Sequence, residues 1–146
     1  MSSHSAIDPQ FRTRVRNSFE RQGAMTLIGA TLARIEPGSA EIHLPFRSDL
    51  TQQHGYFHAG MVTAIADSAC GYAALSLTPA GSEVLSVEFK INLLRPASGE
   101  RLVARAEVLR SGRTLSVTRA DVYSESAGEA TMIAAMQATM IVTPAR

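Results

Sequence analysis

Apolar and polar residues alternate most regularly between Val84 and Leu94, where Leu85, Val87, Phe89, Ile91 and Leu93 are separated by Ser86, Glu88, Lys90 and Asn92. A repeat of two is the period of a strand with one face against a core, so this segment predicts a β-strand. Runs of similar texture predict strands over Thr26–Glu36 and Ala40–Phe46, joined into a hairpin by a Pro37-Gly38 turn. Arg101–Arg110 and Arg113–Tyr123 read as a second hairpin, turning through Ser111-Gly112. In Ala130–Val142 the spacing of Met132, Met136 and Met140 suits one face of a helix or of a strand. The Gly128 turn before it and the Ile141-Val142-Thr143 ending favour the strand.

Two stretches break this texture. Residues 1–7 are polar and predict a frayed end; Asp8 then stands where it would cap a short helix with Pro9 at the first position, running to about Arg21. After a loop from Arg47 to Phe57, the run from His58 to Leu77 is small and apolar, rich in alanine and too long for a strand. It predicts one long helix, ending ahead of Pro79 and Gly81. The order is thus a helix, two strands, a long apolar helix and four strands, an α+β arrangement in which an antiparallel sheet curls around a central helix.

Composition narrows the function classes. With 146 residues and 45% hydrophobic content the chain can bury one core, preceded by an N-terminal tail and short helix over residues 1–24, with the main domain over 25–146. The net charge of +1 supplies no field for nucleic acid or an anionic membrane, so an anionic ligand must be met by local arginines. Cys70, the single cysteine, excludes an intrachain disulfide and a multi-cysteine zinc site; its apolar setting makes it a packing residue and points to the cytoplasm. Met1–Glu20 has no signal-peptide core, and no apolar run reaches the ~20 residues that span a bilayer. No HExxH, carboxylate cluster, GxSxG, Walker or dinucleotide-binding glycine pattern is present, so neither a metal nor a nucleotide cofactor is expected.

One residue stands out against this background. Asp67 is the only charged side chain between His58 and Leu75, and an unpaired carboxylate in apolar surroundings costs on the order of several kcal/mol. It calls for a partner or a chemical role: hydrogen bonds at a subunit contact, an arginine, or a reaction. Just before the helix, Gln52-Gln53-His54-Gly55-Tyr56-Phe57-His58-Ala59-Gly60 leads into first-turn amides that have no partner within the helix and carry positive partial charge. Such amides polarise a carbonyl, although a glycine there also serves a turn and His58 also serves as a cap. Asp67 follows His58 by nine residues, which puts the two roughly on opposite helix faces and ~13 Å apart. If both act on one substrate atom, the simplest arrangement is a dimer in which Asp67 of one subunit faces the helix start of the other.

The segment Gln52–Ala69 resembles the hotdog-fold acyl-CoA thioesterases of the phenylacetate-degradation type. Their pattern is an asparagine, His-Gly-Gly six positions on, then Leu-Ala-Asp; here it reads Gln52, His58-Ala59-Gly60 and Ile65-Ala66-Asp67, with the same nine-residue spacing. The likeness continues through Ser86-Val87-Glu88-Phe89, Leu94-Arg95-Pro96 and Arg110-Ser111-Gly112-Arg113-Thr114, over roughly residues 25–143. The resemblance implies a hotdog fold and hydrolysis of acyl-CoA to free acid and coenzyme A, the latter part of the substrate and not a cofactor. It gives Asp67 the role of general base or nucleophile, the backbone amide of Ala59 that of oxyanion donor with Gly60 beside it in the site, His58 that of supporting the turn, and Ser86 that of placing water. Gln52 stands at the asparagine position, with Gln53 as its substitute in a changed register, while Arg95, Pro96 and the Arg110–Thr114 turn fall where the family contacts coenzyme A. The expected assembly is a homodimer and, as a dimer of dimers, a homotetramer, with no nucleic-acid or membrane partner. Other readings are a silent acyl-CoA or acyl-carrier binding module, motivated by Gln52 and Ala59, and a hotdog hydratase or dehydratase. Tyr56, Phe57, Met61 and Tyr72 are candidates either for an acyl tunnel or for ordinary core.

Overall fold

A computed structural model describes residues 3–144. Helix α1 (Phe11–Arg21) places Phe11, Val15 and Phe19 on one stripe and buries them, as a four-residue spacing of apolar side chains dictates. It begins two residues later than Pro9. The Asp8 carboxylate still caps the turn, accepting from the Gln10 amide at 2.8 Å, but the chain becomes α-helical only at Phe11. The expected fraying of residues 1–7 is corrected for the described part. His4 lies over Gly38 and its Nε2 is 3.0 Å from the Val108 carbonyl oxygen, while residues 1 and 2 fall outside the described range.

The strand expected over Thr26–Glu36 is a second correction. Its first residues belong to helix α2 (Gly23–Ile28), which stops at Gly29 in the left-handed conformation, φ 81°. Only then does β1 (Thr31–Glu36) begin, pairing with β2 (Ser39–Pro45). The long helix α3 runs over Ala59–Leu75, followed by β3 (Glu83–Leu93), β4 (Arg101–Ser111), β5 (Leu115–Ser126) and β6 (Glu129–Thr143). The last of these is the strand that the turn residues favoured. The six strands form one antiparallel sheet in the order β1-β2-β4-β5-β6-β3, curled so that α3 touches every strand. This is the hotdog arrangement of sheet and helix.

Alanine explains how close the helix lies. Ala66, Ala69 and Ala73 are fully buried beside Val62, Ile65 and Cys70, so the sheet meets a nearly smooth helix face. Burial pushes the Cys70 thiol up to about 12, which leaves it protonated at neutral pH. No helix among the described residues is long and apolar enough to cross a membrane.

Strand β3 departs most from its sequence pattern. It is an edge strand with no neighbour on its outer side among the described residues, and Leu85, Val87, Phe89 and Leu93 are 44–62% exposed. A register shift between Ser86 and Glu88 leaves Val87 as the extra residue of a bulge. On one side of it Ser86 pairs with the buried Met140; on the other Phe89 pairs with the buried Ala138. Strict alternation would put Ser86 on the outer face with Glu88 and Lys90. The bulge inverts the phase and turns Ser86 inward, beneath α3.

Candidate active site

Asp67 lies in the middle of α3, half-buried, and Ser86 Oγ donates to its Oδ1 at 2.6 Å. Ser86 also approaches Met140 Sδ at 3.4 Å. The carboxylate is therefore not sealed in an apolar interior: it borders a cavity of about 440 Å3 between α3, α1 and the start of β3. Hydration and the Ser86 hydroxyl compensate the charge that looked uncompensated in sequence. Its second oxygen has no hydrogen-bond partner among the described residues.

The start of α3 forms a separate group. His58 is the N-cap, and its Nδ1 accepts from the Gly60 amide at 2.8 Å. Nδ1 therefore carries no proton, and the ring's N–H is at Nε2. A Cβ on residue 60 would sit 2.9 Å from Nδ1, so glycine is what lets the ring come this close. The Met61 and Val62 amides turn back to the His58 carbonyl, at 2.9 and 3.3 Å. Of the first-turn amides only that of Ala59 has no partner among the described residues. Gly60's amide is occupied, and that of Ala59, to which the resemblance gives the oxyanion role, is open.

Ala59 borders a second cavity, about 470 Å3, together with Gln52, Tyr56, Phe57, Val62, Leu93, Leu94, Arg95 and Pro96. Gln52 is held by its own loop, its Oε1 accepting from the His54 amide, so the amide NH2 is the end left to face a ligand. Gln53 is exposed and lines neither cavity. Met61 is half-buried against the core, and Tyr72 borders the Asp67 cavity.

The two cavities share no residue. Along α3, Ala59 and Asp67 are ~12 Å apart in rise. Along β3, Ser86 and Leu93, at the far end of the strand before Arg95, are ~23 Å apart. The β4–β5 hairpin tip carrying Arg110, Ser111, Gly112, Arg113 and Thr114 belongs to the Asp67 end: the Val142 amide donates to the Thr114 carbonyl at 2.7 Å, and Leu115 and Leu85 both pair with Ile141. The expected residues thus fall into two sets within one chain, Asp67, Ser86 and the hairpin tip against Gln52, His58, Ala59, Gly60, Arg95 and Pro96.

The resemblance did not include the wall opposite Asp67. Ser18 and Gln22 of the N-terminal helical segment meet Ser68 and Tyr72 of α3 there. A polar pair four residues apart, beside the stripe Phe11, Val15 and Phe19, was the available signal.

A model of the thioesterase superfamily matches residues 54–131. Human acyl-coenzyme A thioesterase 13 is 32% identical over 119 residues, covering 80% of each chain. Among solved structures, a thioesterase family protein from Silicibacter pomeroyi superposes with a TM-score of 0.90 at 48% identity, over 92% of this chain and 98% of the other. The PaaI protein of the Escherichia coli phenylacetic acid degradation operon shares the fold, with a TM-score of 0.84 at 19% identity over 93% and 95% of the two chains. Motif, fold and these likenesses agree, and the chain belongs to the thioesterase superfamily.

Proposed function

We propose that this protein hydrolyses acyl-CoA thioesters in a site assembled from two subunits. The observation that carries the reading is the complementarity of the two sets of residues: one ends in an open carboxylate oxygen, the other in an open amide N–H, too far apart in one chain to meet on one atom. Pairing the bare edges of two β3 strands antiparallel about their midpoint lays the beginning of each beside the end of the other. That brings an Asp67 cavity against an Ala59 cavity, and the Arg110–Thr114 tip towards the partner's equivalents of the Arg95-Pro96 turn. The exposed leucines, valine and phenylalanine of β3 support it, since a long apolar edge left in water invites another strand.

In this site Asp67 takes the proton of a water that attacks the thioester carbon, or attacks that carbon itself. The Ala59 amide holds the oxygen as it gains negative charge, and collapse of the adduct breaks the C–S bond. The departing sulfur takes a proton from the Asp67 carboxyl, or from water where Asp67 is the nucleophile, to give the free coenzyme A thiol. On that second route water then hydrolyses the acyl-aspartyl anhydride, so water supplies the hydroxyl of the free acid either way. Ser86 orients Asp67, His58 fixes the first turn by binding the Gly60 amide, and exposed Arg95, Arg110 and Arg113 suit the phosphates of coenzyme A. In this reading the chain needs no cofactor of its own, works in the cytoplasm and pairs its dimers into a homotetramer.

Thiol release from a panel of acyl-CoAs tests the chemistry. Asp67→Ala should lower turnover by about a thousandfold, and wild-type turnover in that variant refutes the mechanism. Tight binding of acyl-CoA without any thiol release would favour the silent binding module. Sharing across subunits has its own test, in which Asp67→Ala and Ala59→Pro chains, each inactive alone, are refolded together. Mixed dimers then hold one intact site, and about a quarter of wild-type activity should return; no recovery would place both residues' work within one chain.

A further inference from the structure

The Asp67 cavity is closed on its far side by the N-terminal helices, and the contact there is polar. Gln22 sits at the break between α1 and α2, serving as C-cap of the first and N-cap of the second. Its side chain is used in both senses: Oε1 accepts from Ser68 Oγ at 2.9 Å, and Nε2 donates to the Tyr72 hydroxyl at 2.9 Å. Ser18, one turn earlier in α1, reaches the same hydroxyl at 3.5 Å. Ser68 and Tyr72 are four apart on one face of α3, and Ser68 directly follows Asp67. All four residues line the cavity together with the exposed Arg21 and Glu83, whereas Leu75, Val84 and Met140 give it apolar sides.

This wall has unused hydrogen-bonding capacity. The second N–H of Gln22 has no partner among the described residues, and the Tyr72 hydroxyl, which accepts from Gln22 and at 3.5 Å from Ser18, has no acceptor there for its own proton. A saturated chain pressed against these groups removes their water and returns nothing, while a chain ending in an oxygen meets them. Tyr72 lies five residues beyond Asp67, ~7.5 Å along the helix, which is the reach of a short straight acyl chain whose thioester carbon faces Asp67.

We propose that Gln22, with Ser18 and Tyr72, determines acyl specificity: the cavity takes a short straight acyl group carrying a hydroxyl or carbonyl oxygen at its far end and rejects long saturated chains. The inference rests on the thioesterase reading and goes beyond it in naming the acyl class. The test compares kcat/KM for hexanoyl-CoA, 6-hydroxyhexanoyl-CoA and decanoyl-CoA. Wild type should favour the hydroxylated six-carbon ester over the other two by about tenfold or more. Gln22→Leu should bring the two six-carbon esters to near parity and raise decanoyl-CoA relative to both. Tyr72→Phe removes one oxygen and retains the ring that meets Phe19 edge-on at 5.7 Å, so it carries the same test if Gln22→Leu fails to fold. Parity in wild type, or a preference untouched by the variants, overturns the proposal. So does one common factor for all three esters, which would put the pantetheine arm in this cavity. Wild type that releases thiol from no acyl-CoA overturns the thioesterase reading and this inference with it; turnover with the wrong acyl profile overturns the inference alone.

Discussion

At its start α3 is exposed at Ala59 and Gly60, and its cap, His58, binds the Gly60 amide while leaving that of Ala59 open. At its last turn the same helix is buried and its carbonyls are crowded with donors. Ser76 Oγ donates to the Ala73 carbonyl at 2.6 Å and Thr78 Oγ1 to that of Leu75 at 2.8 Å. Arg14 reaches over from α1 to the Leu75 and Thr78 carbonyls at 3.4 and 2.8 Å, and to that of Ser82 at 3.4 Å. Every helix has unpaired amides at one end and unpaired carbonyls at the other. Here the carbonyl set meets many donors, and one amide of the other set is left open, the one proposed to hold the thioester oxygen.

If that division is right, changes at the two ends should separate activity from stability. The largest effect on turnover is expected for Ala59→Pro. Proline fits the first helical position, His58 already has the extended backbone (φ −62°, ψ 140°) that precedes a proline, and only one N–H is lost. Turnover should fall about a hundredfold to a thousandfold with the melting temperature unchanged; full activity would show that the open amide is not used. At the other end, Arg14→Ala should do the reverse. It strips buried carbonyls of their donors and should lower the melting temperature by roughly 10 °C, while kcat/KM of the folded protein stays within about twofold. A fall in kcat/KM as large as that of Ala59→Pro would erase the contrast.

Smaller effects sharpen it further. Gly60→Ala puts a methyl against the His58 ring, which must tilt and release the cap; turnover should fall about tenfold and stability by about 1 kcal/mol. The smallest effect is in acid. The Gln10 amide, together with the Arg14 guanidinium 2.9 Å away, holds the Asp8 carboxyl below its ordinary value of 3.8, against the opposing pull of burial. Because the folded value lies below the unfolded one, the contribution is complete above about 3.8 and disappears as pH falls through the folded value. Melting temperature followed from pH 5 downward should therefore drop more steeply below ~4 in wild type than in Asp8→Asn; parallel curves would remove Asp8 from the clamp.

Much of this was legible in the sequence, for physical reasons that can be named. The alanine-rich run gave α3, the period of two gave β3, and the spacing of His58 and Asp67 gave two groups facing different ways. What stayed hidden depended on neighbours that no local pattern reports. Thr26–Ile28 has strand-like residues, yet Gly29 closes a short helix there. Asp67 looked buried because its helix is apolar, but the sheet leaves a cavity beside it. The resemblance pointed to the Ala59 amide, but that the His58 ring occupies the amide of Gly60 shows only in the fold. Gln22 left only its four-residue spacing from Ser18 as a trace, because the partners of its side chain lie 46 and 50 positions away.

The single extra residue at Val87 gives β3 a parity. Residues after it keep the face that their alternation suggests, and residues before it take the opposite one. A one-residue deletion at the bulge would leave Phe89, Ile91 and Leu93 in place and swing Ser86 away from Asp67. A two-residue change would preserve the faces while shifting the strand's reach. Ancestral insertions or deletions in this strand are therefore expected in even numbers or in compensating pairs. A gap-free alignment of its apolar positions would count such chains as equivalent when only one parity keeps the serine under the carboxylate.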